Sequence, residues 1–284
     1  MTHSRPTIHE LLDRHGLAAR RELGQNFVAD PNTVRRIAEL SQVGPGDLVV
    51  EIGPGLGSLT LALVETGATV VAVEIDSGLA AVATEILDGA ATVIEGDALT
   101  LDWGRLIAEH GAQAGEAATG GVHVVSNLPY NIGTTLVLDI LASVPEVDTL
   151  TVLVQTEVAE RFAAGSGSKI YGIPSVMAAL HGRAEVLASV PPSVFVPRPK
   201  VESSVVRFVR HDEPESVTHG QLGRVVKAAF GQRRKMIRRS LSGLLTEEQI
   251  VRCGIDPTFR AEQLDLEDWV LLARAADSGI DSTS

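Results

Sequence analysis

Val50-Glu51-Ile52-Gly53-Pro54-Gly55-Leu56-Gly57-Ser58-Leu59-Thr60 is an apolar run that ends in three alternating glycines and opens onto a helical pattern. Glycines at such a junction let a strand turn sharply into a helix and let a ligand approach the backbone closely. The next apolar run closes on Val73-Glu74-Ile75-Asp76, which puts Glu74 19 residues beyond Gly55. Strand, glycine turn, helix, strand and acid open a βαβ unit, so the stretch predicts an α/β fold.

The same alternation continues outward. Asp47–Ile52, Thr69–Ile75, Thr92–Glu95, Val122–Ser126 and Thr149–Val154 read as strands. Their nearly continuous apolar character suits strands buried on both faces. Helical patterns fall near Leu59–Val64, Gly78–Leu87, Trp103–His110 and Thr134–Ser143, which implies a mainly parallel, doubly wound sheet. Ala184–Val190 and Ser203–Arg210 flank the proline-rich 191–200 and are placed to pair antiparallel at the sheet's end. Residues 211–220 read as a linker, and 112–121 as a small-residue loop. Helical patterns then occupy Gln221–Phe230, Arg233–Leu245, Thr246–Cys253 and Leu266–Ala276. The expected organisation is a domain over 1–210 with an N-terminal extension over 1–22, a small all-helical domain over 221–276, and a loose tail over 277–284.

The 284 residues are 44% hydrophobic and 21% charged, as in a soluble globular protein with one large and one small domain. No apolar stretch approaches ~20 residues, and the polar start lacks the apolar centre of a secretory signal. The single cysteine, Cys253, excludes a disulfide framework and a Cys-rich metal site. The eight histidines show no ligand spacing and read mostly as surface or loop residues, so no metal is assigned. A cytoplasmic location follows by default.

Two ligands suit the glycine loop: a dinucleotide or S-adenosylmethionine. A dinucleotide fingerprint would place its third glycine at position 58, where Ser58 stands. Glu51, in the approach to the loop, suits a cationic ligand end better than a pyrophosphate, which favours positive potential. Glu74 can accept from two ribose hydroxyls, and Asp97 in Gly96-Asp97-Ala98 from an adenine amine, though a plain Gly-Asp turn reads as well there. Ser126-Asn127-Leu128-Pro129-Tyr130 leaves the fourth strand at the edge where α/β proteins bind ligands. The bland reading is a turn. The chemical one is an exocyclic-amine site: the Asn127 side-chain oxygen and the Leu128 carbonyl accept from the amine, Pro129 stiffens the turn, and Tyr130 offers a stacking face.

With these motifs in place, the sequence resembles the KsgA/RsmA family of ribosomal small-subunit RNA adenine N6,N6-dimethyltransferases. The resemblance is carried by LGQNF (23–27), EIGPGLGSLT (51–60), VEID (73–76), GDAL (96–99), SNLPYNI (126–132), VQTEVAER (154–161), GSKIYG (167–172), PPSVFVPRPKVESSVV (191–206), FGQRRK (230–235) and RAEQL (260–264). It implies a Rossmann-like class I methyltransferase fold with S-adenosylmethionine as cofactor. Gln25 and Asn26 would lie by the methionine end, Gly53 and Gly55 in the loop, Glu74 on the ribose, Asp97 on the adenine, and Asn127 to Tyr130 at the target amine. It also implies Phe195 as a second stacking aromatic opposite Tyr130. The implied substrate is a pair of adjacent adenosines near the 3′ end of 16S rRNA in the immature small subunit, each dimethylated by a monomeric enzyme. Large-subunit RNA methylation of the macrolide-resistance type and a non-catalytic assembly factor of the same fold are the rivals.

The formal charge of −12 argues against a polyanion partner, but its distribution does not. Residues 37–130 hold 13 acids and one base, Arg105, and so carry all of it. Arg224, Lys227, Arg233, Arg234, Lys235, Arg238 and Arg239 fall within a stretch that has no acid. These seven are the expected RNA contacts, with a solvated helix face as the plain alternative.

Overall fold

The computed structural model describes residues 2–20, 24–111, 120–212 and 215–278. The small-residue loop at 112–119 and the tail at 279–284 lie outside the described residues. The strands are β1 (Phe27–Val28), β2 (Leu48–Ile52), β3 (Thr69–Glu74), β4 (Thr92–Glu95), β5 (Val122–Asn127), β6 (Val147–Gln155), β7 (Gly182–Val190), β8 (Phe195–Val196) and β9 (Ser203–Arg210). Seven of them form one sheet in the order β4-β3-β2-β5-β6-β9-β7. β4 to β6 pair parallel, and β9 runs antiparallel to β6.

Every residue of β2 is buried, as is β3 beyond Thr69, which is why their sequences read as unbroken apolar runs. The chain winds outward from β2 through β3 to β4, then returns to place β5 on the other side of β2. That reversal opens a crevice at the carboxyl ends of β2 and β5, where such folds bind ligands. The glycine loop and Ser126–Tyr130 both leave the sheet there.

Four helices went unread in the sequence: Arg5–Arg14, Pro31–Ser41, Thr156–Ala163 and Ile173–Ala179. The first two are the ones beside the glycine loop. Arg5–Arg14 and Pro31–Ser41 each have a cap signature. Ser4 accepts from the Thr7 N–H, and Asp30 from the Thr33 N–H with Pro31 as the first helical residue. β1 and β8 form an unexpected two-stranded sheet, pairing Phe27 with Val196 and Val28 with Phe195.

The chain divides into two compact units, Met1–Ala159 with Glu185–Val209, and Glu160–Ala184 with Arg210–Ser284. The helical unit is therefore discontinuous, unlike the contiguous 221–276 expected. Helix Ile173–Ala179 belongs to it: it packs against helix His219–Gly231, and Val176, Met177 and Ala178 of the one and Leu222, Val225, Val226 and Ala229 of the other are buried. That helix starts inside the expected linker, capped by Thr218, and the last helix, Leu266–Ser278, outlasts its expected end.

The helix expected over Arg233–Leu245 does not form; only Ile237–Ser240 is helical. The segment is drawn instead against 257–260: Met236 bridges Arg260, and the N–H groups of Ile237 and Arg238 donate to the carbonyls of Phe259 (2.6 Å) and Pro257 (3.2 Å). Arg233 ties the unit together. It pairs with Glu262 at 2.8 Å and donates to the carbonyls of Tyr171 (3.0 Å) and Lys169 (2.8 Å), beside an aromatic cluster of Tyr171, Phe230 and the fully buried Trp269.

Arg233→Ala should therefore lower stability by about 1.5–3 kcal/mol, the usual range for hydrogen bonds to a charged group. Arg234→Ala, at an exposed side chain, should change it by less than about 0.5 kcal/mol. Urea denaturation of both variants checks this; equal shifts would contradict a structural Arg233.

Candidate active site

Gln25, Asn26, Gly53, Gly55, Glu74, Asp97, Asn127, Leu128 and Pro129 all line one cleft of about 1070 Å³, open to solvent. Gly53, Gly55 and Gly57 have φ of 69°, 57° and 75°, the left-handed region that side chains disfavour. Gly55 is doubly constrained, since a Cβ there would sit 2.8 Å from the Phe27 ring.

Glu74 ends β3 almost fully buried. Its Oε2 accepts the Gly55 N–H and its Oε1 the Asp76 N–H, both at 3.0 Å. The acid thus pins the glycine loop, and each oxygen keeps a lone pair for a ligand hydroxyl. Burial pushes its carboxyl above the usual range, and the N–H groups of Asp76 and Gly55 pull it back. Asp76 in turn caps helix Ser77–Leu87 and pairs with Arg20 at 3.1 Å.

Glu51 is 1% exposed, and its Oε2 has no hydrogen-bond partner. Desolvation pushes its carboxyl from 4.5 up to about 8; nearby Thr60 opposes this and the Glu74 charge adds to it. A neutral buried acid in the wall of a cleft is suited to a cation there, which would favour the ionised form.

Asn127, at the end of β5, donates from Nδ2 to the Asn26 carbonyl at 2.8 Å. Only the amide nitrogen can make that bond, so Oδ1 is left as the acceptor. The Leu128 N–H is spent on the Leu153 carbonyl (3.1 Å), and the Pro129 carbonyl accepts from Ile132 and Gly133. The Gln25 Oε1 accepts the Arg20 N–H at 2.8 Å, and the Asn26 Nδ2 donates to the Gly24 carbonyl at 3.0 Å. Asp97 spends one oxygen on the Leu99 N–H at 2.9 Å, so the turn reading of Gly96-Asp97 holds alongside its place in the cleft.

Two expected stacking aromatics part company. Tyr130 is half-buried, with its hydroxyl 2.5 Å from the Ser203 hydroxyl and its acidity reduced by burial. Phe195 is 0% exposed and sits in a core with Val34, Ile37, Val190 and Val205, so it presents no face to a base. The β1–β8 pairing turns it inward. The basic run also needs correction: Arg224 pairs with Asp277 (3.4 Å), Arg233 with Glu262 (2.8 Å) and Arg238 with Glu247 (2.9 Å). Lys227, Arg234, Lys235 and Arg239 are exposed, and among the described residues no ion pair holds them.

Sequence reasoning missed Phe27, which overlies Gly55, and Ile75 and Leu99, which are 55% and 46% exposed yet line the cleft. Their signal was a large apolar residue directly after Glu74 and another two residues past Asp97. Of the histidines read mostly as surface or loop residues, His3 is buried.

The parallel sheet, its switch-point cleft and the buried acids define a Rossmann-like methyltransferase. The family model for ribosomal RNA adenine dimethylase matches residues 16–277, and the chain belongs to that family. Ribosomal RNA small subunit methyltransferase A of Cutibacterium acnes is 45% identical, over 96% of this chain and 92% of that protein. Its counterpart in Phenylobacterium zucineum is 44% identical, over 95% and 92%. Among solved structures, the 23S rRNA methyltransferase ErmE superposes with a TM-score of 0.65 at 26% identity, covering 88% of this chain and 99% of that one. A dimethyladenosine transferase from Plasmodium falciparum reaches 0.68 at 21% identity, over 86% and 94%, and shares the fold. The chain is an S-adenosylmethionine-dependent methyltransferase, and the cleft fits that cofactor: an unpartnered acid for a cation, spare Glu74 lone pairs for hydroxyls and exposed apolar side chains for a purine.

Glu51 gives a pH signature. Its folded pKa is raised, so the folded state keeps a proton that the unfolded chain releases. This contribution is complete below about pH 4.5 and is lost as pH rises towards about 8. Glu51→Gln should match wild type near the lower limit and be the more stable protein at the upper one. Unfolding free energies measured across that window test it; parallel curves would contradict a neutral Glu51.

Proposed function

We propose that this chain transfers methyl groups to N6 of two adjacent adenosines near the 3′ end of 16S rRNA, dimethylating each. It would act as a monomer, in the cytoplasm, on the immature small subunit. The observation that carries the reading is Asn127: with Nδ2 committed to the Asn26 carbonyl, Oδ1 is an acceptor at the cleft.

S-adenosylmethionine supplies, when bound, an electrophilic methyl on a sulfonium. Glu74 would hold its ribose, Asp97 its adenine between Ile75 and Leu99, the Gly53–Gly57 loop its main body, and Glu51 with Gln25 and Asn26 its charged end. Asn127 Oδ1 and the Leu128 carbonyl accept the two N–H bonds of the target amine. This draws the nitrogen lone pair out of conjugation with the ring and aims it at the methyl. Pro129 keeps the turn stiff. The Tyr130 ring, anchored through Ser203, stacks on an adenine taken out of its helix. No strong base is needed, because the methylated ammonium is acidic. Catalysis is orientation and electrostatics. Phosphate contacts fall to Lys227, Arg234, Lys235 and Arg239, which position the RNA and do not select the base. The 42–45% identity to proteins named for the small subunit supports that target over the 23S RNA of ErmE. Glu74 and Asn127, both present and in place, support an active enzyme over a non-catalytic factor.

Undermethylated small subunits incubated with labelled S-adenosylmethionine should take label on two neighbouring adenosines near the 3′ end of 16S rRNA. Label on 23S rRNA, or none with cofactor binding intact, would overturn the reading. Asn127→Ala should slow methyl transfer by about 10²-fold while leaving cofactor affinity nearly unchanged, since it removes aim.

Salt dependence tests the RNA contacts separately. The double variant Arg234→Ala/Arg239→Ala should flatten the slope of log affinity against log salt by roughly 0.7–0.9 per lost contact. Slopes parallel to wild type would remove these two side chains from the phosphate contacts.

A further inference from the structure

The cleft has a support that begins before the family match does. That match starts at residue 16, yet two side chains near the start of the chain hold segments that shape the site. His3 is buried, with its backbone N–H donating to the Ser58 hydroxyl at 3.0 Å and its ring Nε2 lying 2.8 Å from the Leu56 carbonyl. A carbonyl only accepts, so the ring proton is on Nε2. The two bonds straddle Gly57, the left-handed residue at the start of helix Ser58–Glu65, where no side chain caps the helix. His3 thus grips the far end of the glycine loop whose near end Glu74 grips.

Arg5 reaches the segment that carries β8. Its guanidinium donates to the carbonyls of Ser193 (2.6 Å) and Phe195 (3.2 Å). Phe195 begins β8, which pairs with β1, and β1 directly follows Asn26, whose carbonyl fixes the Asn127 amide. The two grips are two residues apart, at the head of helix Arg5–Arg14. That helix buries Ile8, Leu11 and Leu12 in one cluster with Leu56, Leu79, Val82 and Val196, so neither grip can drift alone. Ile8 also lines the cleft itself.

We infer that His3 and Arg5 are positioning residues: His3 sets the glycine loop for the cofactor, and Arg5 sets Asn127 for the target amine through β8 and β1. The Arg5 half rests on the amine-orienting role proposed for Asn127; the His3 half needs only the cofactor. The two substitutions should therefore separate. His3→Ala should weaken S-adenosylmethionine binding about 3–10-fold, as loss of a neutral hydrogen bond does, with turnover at saturating cofactor near wild type. Arg5→Ala should keep cofactor affinity within about twofold and lower the turnover number about tenfold or more, as loss of hydrogen bonds from a charged donor does. Arg5→Lys, which can still donate to both carbonyls, and His3→Gln, which keeps a side-chain N–H, should each recover most of the loss.

The experiment is calorimetry with S-adenosylmethionine alone, plus single-turnover methylation of undermethylated small subunits, on the full chain and all four variants. Separated effects with rescue support the inference. Both alanine variants moving the same quantity, an effect on thermal midpoint alone, or failure of the conservative variants to rescue would overturn it. If wild-type protein binds cofactor but leaves small subunits unlabelled, the function proposed above fails, while the calorimetric arm still decides the His3 grip.

Discussion

The arrangement depends on one carboxylate. Glu74 closes β3 with almost no exposure, and its two oxygens hold the N–H of Gly55 on one side and of Asp76 on the other. A buried acid is costly unless such donors satisfy it. Here the donors are the loop that must be shaped and the residue that caps the next helix. One burial therefore sets the left-handed loop after β2, the entry into helix Ser77–Leu87 and a pair of lone pairs facing the cleft. Glu51 lies on the neighbouring strand and lacks a partner for Oε2, so the cleft has unmet acceptor capacity. A ligand with a cationic end and vicinal hydroxyls meets both demands.

The sheet was legible because strands buried on both faces must be largely apolar, and β2 and β3 are, apart from Glu51 and the two ends of β3. Glu74 was legible for a related reason: a carboxylate at the end of such a strand, 19 residues after Gly55, stands out from its apolar surroundings, and the structure shows it holding the Gly55 and Asp76 N–H groups. Phe195 was misread. The resemblance implied a stacking ring there, but whether the ring faces out depends on the two-residue pairing of β8 with β1, which leaves no periodicity to read. Helices Arg5–Arg14 and Pro31–Ser41 carried ordinary cap signals, Ser4 and Asp30 with a following proline, and these were overlooked.

The basic run shows a different limit. Arg224 to Arg239 holds no acid, and local sequence suggests seven free cations. The partners come from afar: Asp277 lies 53 residues from Arg224, and Glu262 lies 29 from Arg233. Tertiary pairing thus divides one cluster into cations that build the helical unit and cations left exposed. Arg233 also explains why FGQRRK, GSKIYG and RAEQL stand out together, because its guanidinium touches all three. The helix expected through this run fails for the same kind of reason: Met236 bridges Arg260, and that strand-like contact overrides a helical pattern.

Glu74 can be tested at the bench most directly by calorimetric titration of S-adenosylmethionine into wild type and Glu74→Ala. Loss of hydrogen bonds to a charged group should weaken binding by about 1.5–3 kcal/mol, roughly 10–150-fold, in a variant whose circular dichroism shows an intact sheet. Unchanged affinity in that folded variant would contradict the account, because the cleft would then bind its cofactor without the carboxylate around which it is built.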